Sequence, residues 1–409
     1  NRLHAAMGHQ FYKVWTAVSH AMGSTPRSSS LVENINSRLR NYLTLRRHLD
    51  GSNAWLGLLK FFCNHRRFMR SRCDRRKGNV LPSMSLRPIV GPLSKVLGVL
   101  VAFASDCIGP QAREAVNAMR PGDVLLLENV RFHAGEEAND GKFADALAAN
   151  GDLYVNDAFS AAHRAHASTE ALAHRLPAYA GEQMRLELTA LDRALGNPER
   201  PVLGIVGGSK VSTKLDLLRH LVTKLDKLAI GGGMANTFLY AQGHDVGASY
   251  CEKDLAETAR EVIRLAGQNN CKLFLPLDIV VADKMAPGAP ARVRHVGSID
   301  EDERILDAGP ETVERLCRAM ANSRTLIWNG PLGVFEMKPF DKGTVEAARY
   351  AATLAREGKL VAVAGGGDTV AALNAAGVAD DFTFVSTAGG AFLEWMEGKT
   401  LPGVAALSK

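Results

Sequence analysis

The stretch Gly207-Gly208-Ser209-Lys210-Val211-Ser212-Thr213-Lys214 follows the apolar run Val202–Val206, and Gly365-Gly366-Gly367-Asp368-Thr369 follows the apolar run Leu360–Ala364. A helical pattern comes after each stretch. A strand that delivers glycines to a helix N-terminus presents backbone N–H groups and the positive end of the helix dipole to an anion. Lysines and an aspartate in the same turns suit a phosphate chain with its Mg²⁺. Together the stretches predict an α/β protein with a nucleotide phosphate site.

Length and composition limit the class of protein. A chain of 409 residues favours two or three domains, and 46% apolar with 22% charged residues is ordinary for an α/β enzyme. Apolar runs stay below the ~20 residues of a membrane-spanning helix, and no secretory signal opens the chain. The six cysteines form no CxxC pair, and Cys63, His65 and Cys73 match no common zinc spacing. We therefore expect a cytoplasmic protein with reduced thiols. Because the sequence begins at Asn1 rather than Met, the true start of the chain stays open.

Charge divides the chain into two parts. Residues 1–83 hold 15 of the 49 Lys and Arg residues and 3 of the 43 Asp and Glu residues, a balance of +12, so the remainder balances at −6. The composition changes near 78–85, and we place a boundary there. The basic segment is predicted to be mainly helical, with helical spacing at Leu39, Tyr42, Leu43 and Arg46.

Short apolar strands alternate with helices from Leu86 onward. This alternation is typical of doubly wound parallel sheets, which bind ligands at the carboxyl ends of their strands. A helix over 182–195 separates two such blocks and is a candidate inter-domain helix. The predicted strands are 122–128, 152–157, 202–206, 227–230, 273–276, 325–328, 360–364 and 382–385, and a further helix lies around 142–149.

Charged side chains follow strand ends in both blocks. Glu336 in the second block either accepts hydrogen bonds from ribose hydroxyls or is a solvated loop charge. In the first block, Arg131 and Arg164 either clamp an anion in bidentate fashion or form surface ion pairs. Local spacing leaves these alternatives open, and it leaves the roles of His163 and His166 open as well.

From Leu86 to about Leu407 the sequence closely resembles phosphoglycerate kinases. The resemblance implies two Rossmann-like domains that close over a cleft, and phosphoryl transfer between 1,3-bisphosphoglycerate and ADP with Mg²⁺. Such transfer depends on positioning and on positive charge around the migrating group. The matching stretches occur in order at 106–110, 127–132, 156–168, 207–214, 231–235, 328–336, 365–369 and 385–391.

The resemblance assigns roles on the nucleotide side. Lys210 is expected to face the transferring phosphoryl group and Lys214 the nucleotide phosphates, with Gly367 as a third catalytic position. Glu336 is expected to hold the ribose, and Asp368 to lie nearest the Mg²⁺. The implied nucleotide-binding set is Lys210, Lys214, Gly232, Gly233, Asn329, Glu336, Gly366, Gly367, Asp368 and Thr369.

The resemblance also implies which residues bind the phosphoglycerate and how the chain is divided into domains. Arg131 and Arg164 are expected to bind 3-phosphoglycerate or 1,3-bisphosphoglycerate, and the protein is expected to be a monomer. The expected divisions are a basic segment at 1–83, a partial phosphoglycerate-binding domain at 84–181 with the returning tail 391–409, an inter-domain helix at 182–198 and a nucleotide-binding domain at 199–390.

Two segments of the family pattern do not occur in this sequence: Arg-Val-Asp-x-Asn-Val-Pro and a basic segment that ends in His-Leu-Gly-Arg-Pro. In the family they supply part of the glycerate site, part of the basic patch and the arginine that reaches the migrating phosphoryl group. We therefore expect an incomplete N-terminal domain and impaired turnover. A non-catalytic nucleotide-binding remnant with a basic nucleic-acid-binding arm is the alternative.

The basic segment has a resemblance of its own. Residues 30–40, 45–49 and 61–68 are similar to the tail of an insertion-sequence transposase of the acid-triad type, in which Glu33 would complete the metal-binding set. The other two acids have no place here, which excludes a complete transposase and favours a fusion of foreign origin. Its Arg-rich run is either a solvated basic helix or a surface with residual nucleic-acid affinity.

The basic segment is expected to give the chain weak, sequence-independent affinity for DNA. Counterion release makes such binding fall steeply as salt rises. In gel shifts of the full chain with two unrelated duplexes, we expect equal affinities at low salt and loss of the shift at higher ionic strength. Changing Arg75, Arg76 and Lys77 to Ala should weaken the binding. A shift that persists at high salt, or that selects one duplex, would instead indicate a dedicated DNA-reading module.

Overall fold

The computed structural model describes residues 85–386 and 388–408, together with the backbone of Leu43–Leu45. It has two compact units: the first ends at Leu186 and resumes at Thr400, and the second is Glu187–Lys399. The boundary falls inside the helix Glu182–Leu191, which continues as a π-helical turn over Asp192–Gly196. Among the described residues, no helix has both the length and the apolarity needed to cross a membrane.

The strands and helices of the described residues are numbered here in chain order. The strands are β1 (Leu43–Leu45), β2 (Val101–Ala104), β3 (Val124–Leu127), β4 (Leu153–Asn156), β5 (Ala178–Ala180), β6 (Val202–Val206), β7 (Lys227–Ile230), β8 (Lys272–Phe274), β9 (Asp278–Ala282), β10 (Arg292–His295), β11 (Arg304–Ala308), β12 (Thr325–Asn329), β13 (Val361–Gly365) and β14 (Phe384–Ser386). The helices are α1 (Val90–Leu97), α2 (Gly109–Asn117), α3 (Ala134–Glu137), α4 (Gly141–Ala148), α5 (Glu182–Leu191), α6 (Leu215–Leu221), α7 (Gly233–Ala241), α8 (Ala256–Gln268), α9 (Pro310–Ala321), α10 (Lys342–Arg356), α11 (Gly367–Ala376), α12 (Gly389–Met396) and α13 (Pro402–Ala405).

A six-stranded parallel sheet forms the centre of the second unit, in the order β14-β13-β12-β6-β7-β8. Every residue of β6 and of β12 is buried, as expected for central strands covered on both faces. Each strand predicted for this unit is present within two residues of its predicted bounds. The predicted α/β class with parallel sheets is therefore confirmed.

The second unit also contains an antiparallel sheet, in the order β10-β9-β11, which the apolar runs of the sequence did not predict. β10 is largely exposed, and its residues Arg292 and Arg294 donate to the buried carboxylate of Glu303 at 2.8 and 3.0 Å. An antiparallel sheet can leave one face to water and to ion pairs, so its strands need no continuous apolar run. A search for apolar runs therefore does not find this sheet.

The first unit pairs β2 with β3 and β4 with β5, both in parallel. Its core joins side chains of β3, β4 and α4, among them Leu125, Tyr154 and Phe143. The strands predicted at 122–128 and 152–157 are confirmed as β3 and β4.

The start of the chain differs from prediction at one place. β1 pairs antiparallel with β4, although the spacing of Leu39 to Arg46 predicted a helix there. The pairing shows that strand neighbours outweigh local periodicity at these three residues. The remaining expectations for the basic segment, Glu33, Arg38, Arg40, Cys63 and His65 included, lie outside the described residues.

Glycines allow two backbones to approach each other at the carboxyl ends of β6 and β12. A Cβ on Gly207 would overlap the carbonyl oxygen of Pro331, and one on Gly330 would overlap the carbonyl oxygen of Gly207. The Gly207 N–H donates to the Asn329 carbonyl at 2.9 Å. This close approach sets the geometry of the turns that follow β6 and β12.

Gly207→Ala is expected to destabilise the protein by about 1–3 kcal/mol, because the backbones must separate to admit the methyl group. Gly267→Ala is the matched control: its Cβ would meet open space in α8, so it should be neutral or stabilising by up to about 1 kcal/mol. Denaturant unfolding measures both. An unchanged midpoint for Gly207→Ala would contradict the close approach.

Candidate active site

Four strands of the six-stranded sheet end in turns that contact one another. β6 leads into Gly207–Lys214 and β7 into Gly231–Gly233, whereas β12 leads into the loop after Asn329 and β13 into Gly366. The Met234 N–H donates to the Gly208 carbonyl at 2.9 Å, which ties the β7 turn to the β6 turn. The Gly232 N–H donates to the Leu332 carbonyl at 2.8 Å, which ties it to the loop after β12. The predicted phosphate-binding glycines therefore lie at one edge of one sheet.

Asn329, the buried last residue of β12, links the turn Gly207–Lys214 to the turn Gly365–Thr369. Its amide donates to the Gly365 carbonyl at 2.8 Å, and its Oδ1 accepts from Lys214 Nζ at 2.6 Å. The Thr369 hydroxyl accepts the Gly330 N–H at 2.6 Å and donates to the Gly365 carbonyl at 2.9 Å. The turn Gly207–Lys214 and the turn Gly365–Thr369 are thus connected through the side chains of Asn329 and Thr369.

Lys214 carries a half-buried positive charge. Its Nζ donates to the Gly207 carbonyl at 2.5 Å and to the Asn329 carbonyl at 3.3 Å, in addition to Asn329 Oδ1. Burial lowers the pKa of Lys214 to about 8, while the negative charge of Asp368 opposes the shift. These three acceptors are neutral oxygens, so an anion at this edge would stabilise the charged ammonium.

Lys210 is exposed on the β6 turn, within the electrostatic influence of Glu252. Glu252 holds this turn: one carboxylate oxygen accepts from the Ser212 hydroxyl at 2.6 Å and the other from the Ser212 N–H at 3.1 Å. The Glu252 N–H in turn donates to the Thr237 hydroxyl at 3.1 Å. Sequence reasoning missed Glu252, because it lies 40 residues beyond Ser212 in a segment without a motif.

The remaining predicted nucleotide residues lie on exposed backbone. Gly367 and Asp368 form the exposed first turn of α11, which follows Gly366 at a φ of 97°. Such a φ favours glycine, and it lets the helix begin directly at the strand end. Glu336 is exposed on the loop after β12, so its ribose-binding role stays a prediction.

The two predicted arginines of the first unit each contact a buried histidine. Arg131 donates to His166 Nδ1 at 3.1 Å and also pairs with the exposed Glu137, while Arg164 donates to His163 Nε2 at 3.1 Å. Burial, together with the charges of Arg131 and Arg164, lowers the pKa of His166 to about 3, so its ring is neutral. Spacing alone did not indicate this cluster.

A parallel α/β sheet with lysine-bearing, Gly-rich turns at its carboxyl edge is the arrangement of a nucleotide-dependent phosphotransferase. The family model described as phosphoglycerate kinase matches residues 63–399. The chain belongs to the phosphoglycerate kinase family. The match begins before Ser85, so the resemblance extends into the basic segment.

Several relatives match most of the chain. Phosphoglycerate kinase from Caulobacter vibrioides (strain NA1000 / CB15N) is 65% identical over 371 residues, 91% of each chain. Phosphoglycerate kinase from Brucella abortus biovar 1 (strain 9-941) is 62% identical over 335 residues, 82% of this chain and 85% of the relative. The structure of phosphoglycerate kinase from Coxiella burnetii is 35% identical with a TM-score of 0.76, and the likeness includes 91% of this chain and 97% of that chain.

The lowered pKa of Lys214 predicts a pH dependence of ADP binding. Below about pH 8 the ammonium is charged and attracts phosphate, and above it the neutral amine does not. Calorimetry should show affinity falling by up to about tenfold per pH unit above pH 8. Lys214→Met should lower affinity at least about tenfold at pH 7 and remove this dependence.

Lys227 provides the matched control for that measurement. It begins β7, at the amino end of the strand, and burial lowers its pKa as well. Lys227→Met should therefore leave the ADP affinity unchanged. Equal affinities for Lys214→Met and the unmodified protein would refute the placement of the phosphates.

Proposed function

We propose that this protein transfers a phosphoryl group between 1,3-bisphosphoglycerate and ADP, giving 3-phosphoglycerate and ATP in glycolysis, with Mg²⁺ as cofactor. The proposal places it in the cytoplasm as a monomer. The observation that carries it is the side-chain connection of Lys214, Asn329 and Thr369 across three turns, in a chain 65% identical to a named phosphoglycerate kinase.

Nucleotide phosphates are assigned to the carboxyl edge of the six-stranded sheet. The N-termini of α7 and α11 offer backbone N–H donors through Gly233 and Gly366–Thr369, and Lys214 adds a positive charge. Asp368 is an exposed carboxylate beside that edge, the type of hard oxygen ligand that Mg²⁺ takes. A bound Mg²⁺ would neutralise charge on the phosphates. Glu336 is assigned to the ribose.

Lys210 is assigned to the migrating phosphoryl group. Its ammonium is exposed on a turn that Glu252 holds in place, so the long side chain can follow the group between donor and acceptor. Gly367 is assigned beside it, because a residue without a side chain leaves its backbone N–H accessible. Positioning and positive charge are what phosphoryl transfer requires of the protein.

The phosphoglycerate is assigned to the cluster of Arg131 and Arg164 in the first unit. Two guanidinium groups around a neutral His166 attract an anion and can bind it in bidentate fashion. Glu137, the ion-pair partner of Arg131, is 68% exposed, so water can solvate its carboxylate when an anion replaces it.

A second candidate function rests on the sequence of the N-terminal region. The family segments that carry the arginine for the migrating phosphoryl group do not occur in this chain. The second candidate is therefore a nucleotide-binding protein without turnover, whose basic arm is of transposase-like origin and binds nucleic acid weakly. Such a protein would have the same second unit.

A coupled assay of ATP formation distinguishes the two candidates. We expect measurable turnover, about 10³–10⁵-fold below that of the Caulobacter vibrioides relative, the effect that one phosphoryl-contacting arginine has in other phosphotransferases. Lys210→Ala should lower kcat further with little change in ADP affinity, whereas Lys227→Met should change neither.

If the protein binds ADP but shows no turnover above that of Lys210→Ala, the result favours the second candidate, a nucleotide-binding remnant without catalytic activity. Turnover comparable to the relative would mean that residues 1–83 supply a substitute basic patch. Arg38, Arg40 and His65 are then the first positions to mutate.

A further inference from the structure

Three side chains of metal-binding type meet in the first unit, at the carboxyl ends of β2 and β3. Asp106 and Cys107 are consecutive in the turn between β2 and α2, and His133 follows the short helical turn Val130–Phe132 after β3. One ligand atom from each residue lies within 4.8 Å of the other two. The proposed phosphoryl transfer uses none of these groups.

The cluster is held by contacts outside it as well as within it. The His133 ring stacks on Phe143 with centroids 5.1 Å apart, and its Nε2 lies 2.8 Å from Asp106 Oδ1. Asp106 Oδ1 also accepts the Cys107 N–H at 2.6 Å. The Asn150 amide donates to the Cys107 carbonyl at 2.9 Å, which fixes the backbone that carries the thiol. The three donors therefore come from fixed positions on neighbouring strand ends.

The donor set and its burial suit a soft-to-borderline divalent cation. Thiolate, imidazole and carboxylate are the ligands that Zn²⁺ takes in proteins, at about 2.3 Å for sulfur and about 2.0–2.2 Å for nitrogen and oxygen. Tetrahedral ligands at those lengths lie roughly 3.3–3.8 Å apart, so side-chain adjustments of about 1 Å would close the cluster. The Asp106 and His133 side chains are 39% and 30% exposed, whereas Cys107 is fully buried. The carboxylate and the imidazole are therefore partly accessible to solvent, and the sulfur is buried beside them.

We propose that Asp106, Cys107 and His133 form a binding site for Zn²⁺ or a cation of the same class, with a fourth position open to water. On binding, the Cys107 thiol releases its proton to solvent as the metal–sulfur bond forms, and the metal replaces the hydrogen bond between His133 and Asp106. No electron is transferred. Because His133 closes the turn that contains Arg131, an occupied site fixes the end of that turn.

Cobalt provides a spectroscopic probe of this site. The full chain, freed of metal and kept reduced, is titrated with Co²⁺ alone, and the sulfur-to-cobalt charge-transfer band is recorded. We expect one equivalent to produce the band and Zn²⁺ to displace it. Cys107→Ser should abolish the band, and His133→Gln should weaken Co²⁺ binding at least tenfold. Cys317→Ser, the matched control in α9, should leave the band unchanged.

Two results would overturn the site: absence of the band in the unmodified protein, or its persistence in Cys107→Ser, which would place the sulfur ligand at another cysteine. Cys107→Ala repeats the test without a polar atom in the buried position. Amide-hydrogen exchange over the first unit, measured without metal, verifies that each variant retains its fold there. A variant with unchanged exchange protection in the first unit that has lost the band supports the proposal.

Discussion

The close approach of the β6 and β12 backbones, between Gly207 and Gly330–Pro331, is the constraint on which the candidate active site depends. The parallel register places Val206 opposite Asn329, so both strands end at the same level. Without side chains at the two glycines, Asn329 can accept from Lys214 and donate to Gly365 at once. A bulkier residue at either glycine would separate the strand ends. It would thereby break the connection between the turns Gly207–Lys214 and Gly365–Thr369.

The positive side chains of the two candidate sites differ in their partners. Lys214 donates to carbonyl and amide oxygens, and burial brings its pKa down to about 8. Arg131 donates to His166, whose ring is neutral because it is buried, and also pairs with the Glu137 carboxylate, whereas Arg164 donates to His163. A buried positive group that contacts neutral atoms gains more from an arriving anion than one already paired with a carboxylate. An anion at Lys214 would therefore meet no competing carboxylate among these acceptors, whereas an anion at Arg131 would have to replace the exposed Glu137.

The sequence allowed the parallel sheet of the second unit to be predicted, because buried strands are apolar runs and their bounds follow from composition. It also singled out Lys214, Asp368 and Thr369 as candidates, since these follow strand ends in recognisable stretches, and the structure places their turns at one edge of the sheet. It could not identify Glu252, the strands β9 to β11 or the neighbours of Cys107. Those depend on contacts between segments far apart in the chain, as when Glu252 reaches back 40 residues to Ser212. The helix expected at Leu43–Leu45 was wrong for the same reason, because strand pairing with β4 outweighs local spacing.

The contacts that define each cluster lie within one unit. The hydrogen bonds that connect Lys214, Asn329 and Thr369 join residues of Glu187–Lys399, and those that Arg131 and Arg164 donate to His166 and His163 join residues before Leu186. On the proposed function, the family segments that this sequence lacks would supply charge on the phosphoglycerate side, whereas the interactions around Lys214 involve residues that are all present. The proposal therefore predicts that nucleotide affinity is retained while turnover falls, because phosphoryl transfer needs positive charge around the migrating group.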